Sequence, residues 1–276
     1  MKFQSLRFFI GVGLSALSSV FNHSAHGKMV EPGKLDKKEK KRDTSVTSSG
    51  TSVNYRSAGA AEGPPPGAEQ KYSWKHDIVT TTFWVGEKPT KNNPVPNHAS
   101  SWDGKWAKHY GGYDDPNNRD GYLPANFTPQ QNPFYVALPY NDKTVNGHKS
   151  EARKVIPWFE EAYNGPHQSV CKGRWIAIKY GNKVCYAQWE DAGPFRTDHW
   201  EYVFGNERPK PNLNKGAGLD VSPAVRDYLG MGSTDVTSWR FVDFEEIPNG
   251  PWAKHGDNNT FVINKRAETE RLASAK

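Results

Sequence analysis

Cysteine is nearly absent from this chain: Cys171 and Cys185 are the only two among 276 residues. A disulfide-dense scaffold is therefore excluded, and two cysteines without suitably spaced histidines do not make a zinc site. In an exported chain the pair can still form one disulfide, which would stabilise the fold by about 3 kcal/mol in the chain-entropy description. A two-residue hairpin at Gly181-Asn182 sets Cys185 opposite Ile178, so a bond would require Cys171 to approach through crossing loops. Two buried free thiols are the alternative. Apolar runs long enough to span a bilayer are absent beyond the first 27 residues. There is no phosphate-binding glycine loop, no Ser/His/Asp signature and no internal repeat. Asp114 to Gly121 is rich in oxygen donors, but Arg119 falls where a calcium ligand belongs. The sequence thus implies no cofactor and no metal.

The N-terminus accounts for the compartment. Lys2 and Arg7 precede an apolar run from Phe8 to Phe21, and Ser24-Ala25-His26-Gly27 supplies small residues for cleavage. That is the pattern of a secretory signal over 1–27, predicting a secreted, periplasmic or cell-envelope protein. Retention as a membrane anchor is the alternative. The net charge of +6 is uneven. Residues 28–75 hold ten lysines and arginines against six acids, while 76–276 hold 24 of each. The basic excess belongs to a tether, so the folded body carries no nucleic-acid groove. The tether, with Lys37 to Arg42 and then Gly63-Pro-Pro-Pro-Gly67, cannot bury enough apolar surface to order itself.

Aromatic residues are abundant, with 10 Trp, 12 Tyr and 13 Phe. The folded domain is predicted over 76–254 and a polar tail, with room for a terminal helix, over 255–276. Strands are predicted at Ile78–Val85, Phe134–Leu138, Arg174–Tyr180, Lys183–Glu190 and Ser238–Val242. Residues 86–131 read as a long ordered loop. Ser150–Tyr163 has a loose helical pattern that Pro157 weakens. Ser222, Pro223 and Gly230 bracket a short helix as N-cap, first position and stop.

Two motifs carry the chemistry. Gly218-Leu219-Asp220-Val221-Ser222-Pro223 and Trp189-Glu190-Asp191-Ala192-Gly193-Pro194-Phe195 place two carboxylates in succession, and Thr80-Thr81-Thr82-Phe83-Trp84 stands upstream. Their order resembles the double-psi β-barrel of RlpA-type lytic transglycosylases, bacterial expansins and family 45 glycoside hydrolases. The resemblance spans roughly 78–252 and is specific mainly in its last third. It implies a mainly β fold, a six-stranded double-psi barrel with short helices and long inserted loops, and an open groove that holds a polysaccharide.

By that resemblance Asp220 is the general acid, with Asp191 and Thr82 in support. Two neighbouring carboxylates push one pKa up, which leaves one protonated for a glycosidic oxygen. Val85 stands where family 45 hydrolases carry a water-activating Asp. Ordinary inverting hydrolysis needs two carboxyls roughly 6.5–9.5 Å apart, so this departure favours lytic chemistry or non-catalytic wall loosening. Trp84, Phe195, Trp200, Trp102, Trp106 and Tyr113 are candidates for stacking on sugar rings, with packing the alternative and the expected role of most of the tryptophans. His199, in the stretch between the motifs, is either a second acid/base or a surface histidine. The expected partner is a cell-wall glycan, either peptidoglycan or a cellulose-like polymer, bound by a monomer. A structural envelope protein is the bland alternative, because fold alone does not give function.

Overall fold

The structure is a computed structural model that describes residues 71–275 apart from Asn92. The expected signal sequence and nearly all of the expected tether lie outside the described residues. Six strands form a closed barrel: β1 (Lys75–Thr82), β2 (Tyr135–Leu138), β3 (Trp175–Tyr180), β4 (Lys183–Ala192), β5 (Leu219–Val221) and β6 (Thr234–Phe241). Around the barrel the order is β1–β6–β3–β4–β2–β5. Four pairings are antiparallel, while β1 with β5 and β2 with β4 run parallel. Closure leaves no free sheet edge.

Local sequence explains the elements. Gly181, at φ 57°, turns the β3–β4 hairpin, and Cys185 pairs with Ile178 as the two-residue turn requires. The helical pattern at Ser150–Tyr163 breaks into α2 (Ala152–Val155) and α3 (Phe159–Ala162) on either side of Pro157, after α1 (Trp106–Tyr110) in the long loop. A fourth short helix, α4 (Trp200–Val203), lies in the stretch between the two acidic motifs. The next helix, α5 (Pro223–Leu229), starts at Ser222, whose hydroxyl accepts from the Val225 amide, and stops at Gly230 in the left-handed conformation. The polar tail folds as α6 (Thr260–Ser274). Among the described residues no helix is long and apolar enough to cross a membrane.

One continuous core fills the barrel, with Trp189, Trp239, Leu138 and Ile178 wholly buried. A smaller second core joins Phe83, Val85, Trp106, Tyr110, Tyr135 and Ala137. It fastens the 86–131 loop onto the ends of β1 and β2. A buried polar network fastens the tail. Asn132 donates to Gln188 at 2.7 Å, and Gln188 donates to the Asn258 carbonyl at 3.0 Å. The Asn258 side chain donates to Glu190 at 3.1 Å and accepts from the Asn132 amide at 2.8 Å.

The expected disulfide is corrected. Cys171 and Cys185 are free thiols, both wholly buried. Cys185 is committed to the β3–β4 register, while the Cys171 amide is held in a turn by the Ser169 hydroxyl at 3.0 Å. Burial pushes both thiols well above the usual range, so both remain protonated.

Ser222 is the most connected cap. Besides capping α5, its hydroxyl donates to the Pro133 carbonyl at 2.7 Å and accepts from the Tyr135 amide at 3.3 Å. Ser222→Ala is expected to lower unfolding free energy by about 1–3 kcal/mol, because it removes a cap and orphans a buried carbonyl. Urea denaturation measures this; an unchanged midpoint would contradict it.

Candidate functional site

The two acidic motifs meet through a single small residue. Ala137 on β2 pairs with Asp220 on β5 on one side and with Asp191 on β4 on the other. Thr81 on β1 pairs in turn with Asp220. A row of Thr81, Asp220, Ala137 and Asp191 thus runs across four strands. With strands about 4.8 Å apart, the two aspartate Cα atoms are separated by roughly 10 Å.

A bulge creates this row. Val136 pairs with Trp189, but the next residue, Ala137, pairs with Asp191, leaving Glu190 as the extra residue. Unbulged pairing would put Glu190 opposite Ala137 and turn Asp191 away. Bulges commonly re-aim side chains beside functional sites. Here the displaced Glu190 is buried against Asn258, and burial pushes its carboxyl up to about 7.

The row forms the floor of a cleft of about 570 Å³. One wall comes from Glu87 and the Asn93–Ser101 segment; the other comes from Gly193–Phe195, Thr197 and Asn214. Gly193 and Pro194 are joined by a cis peptide bond, and Phe195 has φ 59° with its ring 42% exposed at the rim. A side chain at 193 would begin 3.8 Å from Asp220 Oδ2, so glycine leaves that oxygen open to the cleft.

Asp220 Oδ1 accepts from the Thr81 hydroxyl. Asp191 Oδ1 accepts from the amides of Ser101 and Ala192, both at 2.7 Å. Among the described residues, Asp220 Oδ2 accepts no hydrogen bond, while the Ser101 side chain adds a third donor to Asp191. Burial raises the Asp220 carboxyl to about 7, opposed by the Thr81 bond and reinforced by the charges of Glu87 and Asp191. Burial raises Asp191 to about 6, against the two amide bonds and the Ser101 side chain. Glu87 is raised too, by burial, although Asn97 donates to its Oε2 at 2.9 Å. At neutral pH the arrangement holds Asp220 near half-protonation beside Asp191, which is more fully ionised. That is what a general acid with a charge-stabilising neighbour requires.

Several sequence expectations need correction. The hydroxyl partner of Asp220 is Thr81; Thr82 lines the cleft one position on, its own hydroxyl unpaired. The period-two geometry of β1 decides which threonine faces the row. Of the aromatic candidates only Phe195 lines the cleft. Trp106 is 1% exposed and packs on Phe83 and Tyr135. Trp102 is half-buried against Trp189, its indole N–H donating to Asn141 at 2.8 Å. It therefore anchors the turn that delivers the Ser101 amide to Asp191. Trp84 and Trp200 are half-buried outside the cleft lining. Tyr113 borders a separate, smaller cavity of about 430 Å³ with Asn118, Asn126 and Phe127. His199 is neither a surface histidine nor in the cleft: it is 1% exposed and bonded to Glu207.

Val85 is wholly buried, with its amide donating to the Tyr135 hydroxyl at 3.0 Å. That hydroxyl donates in turn to the buried Asp114, which Arg119 neutralises. Arg119 thus supplies the cation in the oxygen-rich Asp114–Gly121 segment. Glu87 was not anticipated from the sequence. Its signal was available: it is the first acid after Trp84, two residues beyond the position of the missing aspartate.

No known protein family matches this chain, and no curated protein is similar to it.

The raised carboxyl has a stability consequence. Asp220 binds its proton more tightly folded than unfolded. Its favourable contribution is complete below its ordinary pKa of about 4 and is lost as pH rises through about 7. Asp220→Asn removes that loss. The variant is expected to be more stable than the parent by about 1 kcal/mol or more at pH 8, with the gap closing towards pH 4. Paired thermal melts across that range check it; a pH-independent difference would contradict it.

Proposed function

We propose that the barrel acts on a cell-wall glycan, with Asp220 as the general acid of a lytic transglycosylase-like or glycosidase-like reaction. The observation that carries this reading is Asp220 on the floor of an open cleft beside Asp191 and Glu87, where burial pushes its carboxyl up to about 7. The parallel β1/β5 and β2/β4 pairs on either side of antiparallel β2/β5 support a double-psi arrangement related to the RlpA, expansin and family 45 barrels. The N-terminal sequence supports an envelope or secreted location for the glycan it meets.

In this reading Asp220 gives its proton to the glycosidic oxygen as the bond to the anomeric carbon breaks. Asp191, ionised at neutral pH, stabilises the positive charge that develops there. In peptidoglycan, the sugar's own C6 hydroxyl closes on the anomeric carbon and returns its proton to Asp220. The atoms balance without a water, so the buried Val85 is no obstacle. Glu87 gives the cleft a further carboxylate that can orient a water, which keeps hydrolysis open as the companion chemistry. The second reading, an expansin-like module that binds and loosens wall polymers without cutting them, is favoured by Val85 occupying the position of the base.

Incubating the protein with peptidoglycan sacculi and separately with cellulose, then analysing soluble products by mass spectrometry, decides between these. Anhydro-sugar or reducing-end products that vanish in Asp220→Asn are expected. Pelleting with one polymer in the absence of products would establish the binding reading instead. Thr81→Val adds a finer check. The Thr81 hydroxyl favours ionised Asp220, so its loss raises the acid's pKa and should move the alkaline limb of the pH–rate profile upward. An unmoved or lowered limb would remove Asp220 from the acid's role.

A further inference from the structure

We infer that His199, Glu201 and Glu207 form a binding site for a first-row divalent metal ion, separate from the acidic cleft. One nitrogen of His199 and one carboxylate oxygen from each glutamate lie within 4.8 Å of one another. His199 Nε2 is 3.2 Å from Glu207 Oε2. In a tetrahedral zinc site, bonds of about 2.0–2.1 Å place donors roughly 3.4 Å apart, so small side-chain rotations would close these three around one ion.

Two features make the cluster more than a chance meeting of acids. His199 is 1% exposed, so its imidazole is held from solvent and aimed at the glutamates. Its backbone is fixed as well, the amide donating to the Pro139 carbonyl at 2.9 Å. Independently, Glu201 Oε2 is buried and takes no hydrogen bond. A buried carboxylate oxygen without a donor is unfavourable unless a cation or a proton satisfies it. Among the described residues no lysine or arginine forms an ion pair with Glu201 or Glu207; the partner of Glu207 is His199. A dication balances two carboxylates beside a neutral imidazole.

The donor set narrows the ion. One imidazole with two carboxylates suits zinc, cobalt, manganese or ferrous iron. Calcium and magnesium prefer oxygen alone, and cuprous copper prefers sulfur. The placement of the site suggests what the ion would do. His199 and Glu201 lie at the start of α4, Glu207 follows the helix, and the Glu207 amide donates to the Glu201 carbonyl at 3.1 Å. Phe195 and Thr197 before this stretch, and Asn214 after it, line the cleft. A bound ion would therefore fasten the chain segment that forms one cleft wall.

The test uses the full chain, stripped of metal by a chelator and dialysed. Zinc is titrated calorimetrically and cobalt by its visible spectrum, with melting temperature recorded before and after. One equivalent is expected to bind and to raise the melting temperature. Glu207→Gln and Glu201→Gln should each weaken affinity at least tenfold, since even outer-sphere losses commonly cost 10–100-fold. Glu207 is 56% exposed, so its substitution removes a donor without opening the core. No bound equivalent would overturn the assignment. So would full affinity in both variants, or a cobalt–thiolate band placing the ion on Cys171 or Cys185.

Discussion

The pairing of Ala137 with Asp220 on one side and Asp191 on the other is the constraint on which the site depends. Two distant stretches of chain, near 191 and near 220, deliver their carboxyls to one row because β2 lies between β4 and β5. Alanine at the middle position matters for the same reason. Its small side chain, 1% exposed, belongs to the second apolar core and leaves the space above it to the two acids. A larger residue there would fill the cleft floor.

Everything else at the site adjusts this row. The Glu190 bulge turns Asp191 towards the cleft and gives the barrel a buried acid that holds the tail through Asn258. The second core, through Trp106 and Tyr135, seats the long loop, so Ser101 and Glu87 arrive at fixed places on the cleft wall. Burial then sets the electrostatics. It drives all three cleft carboxyls upward, and the individual hydrogen bonds decide the ranking. Asp191 has two backbone donors and the Ser101 side chain and rests lower, while Asp220 has one hydroxyl donor and rests higher. Two aspartates of the same ordinary pKa acquire different protonation states from their local donors and from the charges of Glu87 and Asp191 that act on Asp220.

Much of this was legible in the sequence. The hairpin at Gly181-Asn182, the capped helix at Ser222–Gly230 and the six-stranded barrel follow from turn chemistry, capping and a recognisable order of motifs. Asp191 and Asp220 are candidates by the resemblance that their motifs carry, and both line the cleft. What the sequence concealed depends on register and on long-range contact. Whether Thr81 or Thr82 faces Asp220 is a one-residue question, and a one-residue shift reverses the face. The bulge at Glu190 is invisible without its partner strand. Trp102 and Trp106 stand in a loop by pattern, yet they pack inward because that loop is sealed onto the barrel by its own aromatics. The burial of His199 was hidden as well, because it rests on contacts with distant segments.

The central claim is that the barrel holds Asp220 as the cleft's proton donor near neutral pH because of where the strands cross. Carbon-13 NMR titration of the aspartate side-chain carboxyls, with Asp220→Asn and Asp191→Asn to assign the signals, tests it most directly. The account predicts an Asp220 midpoint near 7 and an Asp191 midpoint near 6. It also predicts that Asp191→Asn lowers the Asp220 midpoint, because one neighbouring charge is gone. An Asp220 midpoint near 4, unmoved by that substitution, would contradict it.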